Sequence, residues 1–132
     1  MAKTITIFGG SGFIGRYVVR QLSQLDYRII IPTSNYLDAQ KLRIYGNVGQ
    51  ILIIRYNHLN REKLENIIND SDYIINLRTI WKENRKTKYN DEIFEFNKLL
   101  INLSNKLKIK RFIFFSGIGV DINSKSKRIK TI

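Results

Sequence analysis

Four glycines fall among the seven residues 9–15, in "TITIFGGSGFIGRYVVRQL". They follow an apolar, β-branched run and precede apolar residues at helical spacing. Glycine inside an ordered chain costs conformational entropy, so such a cluster needs a structural reason. A strand that turns sharply into a helix supplies one. Thr4–Phe8 predicts a strand, and Ile14, Val18, Leu22 and Leu25 then mark one face of a helix through "FIGRYVVRQLSQL".

The same alternation continues down the chain. "YRIIIP" reads as a second strand, stopped by Pro32. "LDAQKLRIYG" suits a short helix ending at Gly46, and residues 50–56, "QILIIRY", a third strand. Asn60 can cap "REKLENIIN", a helix carrying Leu64, Ile67 and Ile68. Residues 72–77, "DYIINL", are a fourth strand. Ile93, Phe96, Leu100, Leu103 and Leu107 step along a longer helix, and residues 111–116, "RFIFFS", are a fifth strand.

Continuous apolar runs are the mark of strands buried on both faces. Five of them alternating with helices predict an α/β fold with a doubly wound parallel sheet. Right-handed crossovers favour the order 3-2-1-4-5, with a ligand crevice at the carboxyl ends of strands 1 and 4. Residues 78–92 are a charged connection expected to loop over that crevice. Residues 1–120 form the expected domain, and 121–132 a basic, flexible tail.

In this setting the glycines point to a dinucleotide site. Two registers fit: Gly9, Gly12 and Gly15 as G-x-x-G-x-x-G, or Gly10, Gly12 and Gly15 as G-x-G-x-x-G. In either, the first makes the turn, Gly12 lets a pyrophosphate come near the backbone, and Gly15 lets the helix pack on the sheet. The helix N-terminus offers N–H groups to the phosphates, and Ser11 adds a hydroxyl. The acid expected about 20 residues on, for a ribose hydroxyl, is missing. Strand 2 ends instead in Pro32, Thr33, Ser34 and Asn35. Ser34 or Asn35 can bond the ribose neutrally. Asp38 more naturally starts the next helix, and Arg28 lies at the wrong end of strand 2. NAD and NADP both remain open. Asn57 is a candidate adenine contact, and Arg78 a candidate phosphate contact across the crevice.

Bulk properties bound the partners. A chain of 132 residues holds one ordinary domain. With no cysteine, disulfides, thiolate metal sites and cysteine nucleophiles are excluded. A formal charge of +12 attracts anions: nucleotide, acidic lipid or nucleic acid. Compositional drift toward A/T-rich codons, which raises Ile, Asn and Lys together, explains part of it equally well. No stretch approaches the roughly 18 apolar residues of a membrane span. "MAKTITIF" lacks the order of a signal peptide. The expected location is therefore the cytoplasm, or the inner face of the cell membrane. There Lys106, Lys108, Lys110, Lys125, Lys127, Arg128 and Lys130 would face anionic lipid. His58, the single histidine, reads as a loop residue. Trp81, Lys82, Arg85, Lys86, Lys88 and Tyr89 form a basic-aromatic cluster, more simply a solvated loop than a nucleic-acid surface. No metal-ligand spacing or catalytic acid pair appears.

"ITIFGGSGFIGRYVVRQL", "RIIIP", "LRIYGNVGQI", "DYIINL" and "KRFIFFSGIGVDINSKS" together resemble the atypical short-chain dehydrogenase/reductase superfamily. Within it they are similar to the Rossmann-fold accessory subunit of respiratory complex I and its bacterial relatives. The resemblance spans nearly the whole chain. It implies an NAD(P)-binding Rossmann domain in which Gly9, Gly12, Phe13, Ile14 and Gly15 cradle the phosphates. Leu77 and Ser116 would lie on the nicotinamide side. The nucleotide's role would be structural, near a membrane arm.

Catalytic members use a Tyr-x-x-x-Lys pair, whose lysine lowers the tyrosine pKa. No tyrosine here has a lysine four residues on, and the family positions fall on Arg128 and Ile132. The arginine that relatives often place after strand 2 is Ser34 here. The chain also stops before the relatives' sixth strand and substrate region. The expectation is a binding module related to the complex I subunit, without dehydrogenase activity of its own. The alternatives are an oxidoreductase or epimerase using Ser116, with Tyr89, or the leading piece of a longer ancestral protein.

Overall fold

The computed structural model describes residues 3–56, 61–78, 84–85, 88–116, 122–127 and 131, without the side chain of Glu92. Asn57, His58, Asn60, Trp81, Lys82, Lys86, Arg128, Lys130 and Ile132, all singled out above, lie outside the described residues. Five strands alternate with helices: β1 (Thr4–Phe8), α1 (Phe13–Gln24), β2 (Arg28–Thr33), α2 (Tyr36–Ala39), β3 (Ile51–Arg55), α3 (Arg61–Ile68), β4 (Tyr73–Asn76), α4 (Phe96–Lys106) and β5 (Arg111–Phe114). The sheet order is β3-β2-β1-β4-β5, as expected from the sequence. Every pairing is parallel, with Ile7 opposite Ile75 and Ile31 opposite Ile53.

The pleat sends alternate residues of each strand into two separate cores. Ile5 and Ile7 of β1, Ile29 and Ile31 of β2 and Ile75 of β4 pack on one face with Val19, Ala39 and Leu42. Phe8, Ile74, Leu64, Ile68, Phe96, Leu100 and Leu103 form the other. α1 and α2 thus cover one face, and α3 and α4 the other. The central strand is sealed, with Ile7 wholly buried. Thr6 is polar yet wholly buried, and its hydroxyl pairs with that of Ser71.

The edge strands depart from the expectation of burial on both faces. In β5 no residue is fully buried and Ile113 is 38% exposed, while Leu52 of β3 is 40% exposed. An edge strand has a neighbour on one side only, so the helix layer overhangs it less completely. Among the described residues no strand pairs with the outer side of β5.

Three helices also differ from the spacing-based reading. In α1 the buried residues are Gly15, Val19 and Ser23, while Ile14 and Leu25 are exposed. The helix expected over 37–46 is a four-residue α-helix followed by a 3-10 turn, Gln40–Tyr45. The tighter 3-10 coil rises about 2 Å per residue, which carries the chain further toward β3. The turn ends at Gly46, where a Cβ would stand 2.8 Å from Gln50 Oε1. Gln50 is a hub: its Nε2 donates to the carbonyls of Ser23 at 2.8 Å and Tyr27 at 2.9 Å. Its Oε1 accepts the Asn47 N–H at 2.8 Å. The "GNVGQ" segment therefore fastens the end of α1 to the start of β2. The connection expected over 78–92 also ends early. A π-helical turn, Asn90–Glu95, leads directly into α4 and buries Ile93.

Candidate functional site

β1 stops at Phe8, at the centre of the sheet's carboxyl edge, where β2 lies on one side and β4 on the other. In a doubly wound sheet the chain leaves in opposite directions at this point, which opens a crevice. Gly9 turns out of the strand with φ +79°, a left-handed conformation. A Cβ there would lie 2.8 Å from both the Arg78 amide nitrogen and the Leu77 carbonyl carbon. Gly10 would meet only side-chain atoms, the nearest being Ile31 Cγ2 at 3.2 Å. Of the two glycine registers, the one beginning at Gly9 is the one that shapes the turn. The Gly12 N–H closes it by donating to the Gly9 carbonyl at 3.1 Å.

α1 begins immediately after, with Gly12 at its N-cap and no side chain capping it. The amides of Phe13, Ile14 and Gly15 form the first turn, with no helical carbonyl behind them to accept their protons. No acidic residue occupies that turn. Gly15 is the contact that brings the helix so near. A Cβ there would stand 2.6 Å from the Gly10 Cα and closer still to the Gly9 carbonyl oxygen. Gly12, by contrast, faces only the Gly9 oxygen at 3.3 Å and is otherwise open. Phe13 and Ile14 have exposed side chains and contribute backbone to the corner. Bare amides at a helix N-terminus, with small residues at their mouth, suit a diphosphate in shape and charge.

Ser11 is less available than the sequence implies. Its hydroxyl lies 3.4 Å from that of Thr33, which in turn accepts the Asn35 N–H at 3.0 Å. Thr33, buried at the end of β2, thus ties the glycine loop to the next turn; the sequence reading had not picked it out as a site residue. Ser34 and Asn35 are exposed beside it. Asn57 lies outside the described residues.

The other wall is built from β4. The Leu77 N–H donates to the Phe8 carbonyl at 2.8 Å, which continues the sheet past its last ladder pair. Asn76 is wholly buried. Its amide donates to Asn97 Oδ1, and its own Oδ1 accepts the Arg78 N–H at 3.0 Å. Asn97 then donates to the Ile93 carbonyl at 2.7 Å, inside the π-helical turn. This asparagine pair joins the end of β4 to the start of α4. A polar residue closing the apolar run "DYIINL" was the signal for it, and the sequence reading passed over it. The Arg78 guanidinium lies over the Phe96 ring, 4.7 Å from its centroid. Phe96 also meets Phe8 edge-on at 5.3 Å, inside the core beneath this edge of the sheet. Ser116 is exposed, two residues beyond β5 on the same edge of the sheet. Among the described residues no cluster of His, Cys, Asp or Glu could hold a metal ion. No helix among them is long and apolar enough to cross a membrane.

Comparisons with known proteins agree with this fold. A family model described as "NAD dependent epimerase/dehydratase family" matches residues 5–121. The chain is 27% identical over 127 residues to the rat (Rattus norvegicus) "NADH dehydrogenase [ubiquinone] 1 alpha subcomplex subunit 9, mitochondrial". It is 26% identical over 128 residues to the "NADH-ubiquinone oxidoreductase 40 kDa subunit, mitochondrial" of Neurospora crassa. These alignments take in 96% and 97% of this chain but 34% of each relative, so the chain spans about a third of their length. Among solved structures, the UDP-Glc/GlcNAc 4-epimerase of Campylobacter jejuni superposes with a TM-score of 0.77 at 17% identity, over 90% of this chain and 38% of that one. That likeness speaks to the fold alone. Because the matched span includes all five strands and the glycine corner between β1 and α1, the chain belongs to the NAD dependent epimerase/dehydratase family.

Proposed function

We propose that this chain is a dinucleotide-binding module that holds NAD(P) without carrying out dehydrogenase chemistry of its own. One observation carries the reading: the glycine corner, where Gly9 and Gly15 have no room for a side chain and the first amides of α1 stay uncapped. The pyrophosphate would sit on the amides of Gly12, Phe13, Ile14 and Gly15, with Gly10 and Ser11 at its rim. Ser34 and Asn35 would hold the adenosine ribose, Asn57 the adenine, and Leu77 and Arg78 would flank the nicotinamide half. The bound group, when active, supplies hydride chemistry. The residues on this chain bind, orient and exclude water. The likeness to complex I subunits supports a structural role beside such an assembly, on the cytoplasmic side of an anionic membrane. The +12 charge favours that surface. Residues 1–120 would be the module and 121–132 its basic appendage. Titration of the purified chain with NADPH and with NADH, followed by calorimetry, tests the reading. Binding of either below millimolar is expected, and no heat from either would remove it.

A second reading, an oxidoreductase or epimerase, is favoured by the family match and by the place of Ser116 on the crevice edge. Turnover of a carbonyl or nucleotide-sugar substrate that disappears in Ser116→Ala would establish it. A flat response across a substrate panel would count against it.

A further inference from the structure

β5 pairs with β4 on one side only, Arg111 opposite Tyr73 and Phe114 opposite Asn76. The Lys110 N–H donates to the Asp72 carbonyl at 3.0 Å. Backbone groups of successive strand residues point to opposite sides. The N–H and C=O of Arg111 and Ile113 therefore face away from β4, where no described strand meets them. Natural edge strands are guarded by charge, proline or a bulge. After Arg111 this one reads Phe-Ile-Phe-Phe, with Ile113 38% and Phe115 49% exposed.

Beside this edge lies an apolar groove of ≈ 350 Å³. Ile93, Phe94 and Ile101 form its helical wall, Phe112 and Phe114 its sheet side, and Thr131 stands at its rim. Phe94 and Ile101 are exposed. Side chains alternate along a strand. A strand laid against β5 would thus send every second side chain to the face that carries Phe112 and Phe114, and into the groove.

Charge decides what kind of strand fits. Lys108, Lys110 and Arg111 are exposed at the amino end of β5, and Lys98 borders the groove. The acids near them are engaged. Glu65 pairs with Lys106 at 2.7 Å, and Asp72 accepts the Thr4 N–H and sits 3.5 Å from Lys110. Among the described residues Lys98, Lys108 and Arg111 form no ion pair. Asp91 and Glu95 belong to the π-helical turn, at the opposite end of the groove. A second copy would bring together two chains that each carry +12, which opposes self-association.

We infer that the β5 edge and its groove take an extended, acidic segment of another polypeptide as a sixth strand. Its alternate apolar side chains fill the groove, and its carboxylates meet Lys98, Lys110 and Arg111. Bonds to the Arg111 and Ile113 backbone supply affinity, while the groove and the cations select the partner. This surface lies on the outer side of the last strand, and its occupation does not require a dinucleotide.

The test uses the full chain and synthetic peptides of alternating valine and threonine. One ends in glutamates, one in lysines, and one is the glutamate peptide with a central proline. Fluorescence anisotropy should show the glutamate peptide bound at least about tenfold more tightly than the lysine peptide, with the gap closing as salt rises. The proline peptide lacks a ladder donor and should lose most of the affinity. The Arg111 and Ile113 amides should exchange with deuterium more slowly in the complex. Ile113→Pro removes an outward donor and spares the pairing with β4, so it should abolish peptide binding with circular dichroism unchanged. Arg111→Glu, at an exposed position, should narrow the preference for glutamate several-fold. Equal binding of the glutamate and lysine peptides would overturn the inference. Equal binding of the proline peptide and its parent would do the same, because charge alone would then be at work. So would binding that leaves the exchange of Arg111 and Ile113 unaltered. A dimer of the chain alone in sedimentation, dissolved by Ile113→Pro, would also overturn it and make the occupant a second copy.

Discussion

The two edges of the sheet are finished in opposite ways. At the amino edge, side chains close the gaps between elements. Asp72 accepts the Thr4 N–H at 2.9 Å and sits 3.5 Å from the Lys110 ammonium. Lys3 donates to the Tyr73 hydroxyl at 3.1 Å, and Gln50 spans α1 and β2 with two more bonds. At the carboxyl edge, β1 ends in glycines and the first helix begins with no side-chain cap. The amino edge uses its polar side chains on the fold. The carboxyl edge leaves the first amides of α1 without a side-chain cap, beside glycines that keep the corner free of side chains.

Substitutions can break or sharpen this contrast. The largest effect is expected from Gly15→Ala, whose methyl would press on the backbone of Gly9 and Gly10, where no rotamer can yield. Overpacking of this kind costs about 3 kcal/mol, and the urea midpoint should fall together with nucleotide affinity. Gly9→Ala combines a left-handed φ with two backbone contacts at 2.8 Å. About 2 kcal/mol of stability should be lost, with nucleotide binding abolished even where the protein remains folded. Gly10→Ala meets only movable side-chain atoms, so it should cost less than about 1 kcal/mol. If Gly10→Ala proves worse than Gly9→Ala in thermal denaturation, the register deduced for the turn is wrong.

At the other edge the signature should be purely structural. Gln50→Ala removes two donated bonds and leaves the Ser23 and Tyr27 carbonyls without them. A loss of roughly 1–2 kcal/mol is expected in denaturant titration, with nucleotide affinity untouched. The smallest effect concerns pH. The Thr4 N–H first, and Lys110 after it, hold the Asp72 carboxyl below the ordinary range. A depressed carboxyl stabilises the fold above its unfolded value of about 3.9, and that contribution fades as pH falls through the folded value. Asp72→Asn should therefore lower the melting temperature at neutral pH and flatten its decline below about pH 4. An altered nucleotide affinity in that variant would contradict the separation of the two edges.

Much of this was legible in the sequence, for identifiable reasons. The five apolar runs and the glycine break are local signals, and right-handed crossovers leave few orders for the strands they define. The exposure of Leu52 and Ile113 was not legible, because being at an edge is a property of the sheet and not of the run. The 3-10 turn at Gln40–Tyr45 and the π-helical turn at Asn90–Glu95 were hidden by spacing that suits an α-helix equally well. Gln50, Thr33 and the Asn76–Asn97 pair act through partners distant in sequence, so no window contains both halves of the interaction. At the site, the position of the glycines was evident, while the choice between Gly9 and Gly10 needed the crossing of Leu77 and Arg78.

That crossing has a mechanical consequence. The Gly9 turn has no slack against the Leu77–Arg78 peptide, and the Leu77 amide is clamped to the Phe8 carbonyl. A ligand that stiffens the glycine turn must also quieten the last residues of β4, in the opposite half of the sheet. The Leu77 and Arg78 amides, both bonded within the protein, should then trade their protons for deuterium more slowly when nucleotide is added. In this way one small corner would let each half of the molecule register what the other half holds.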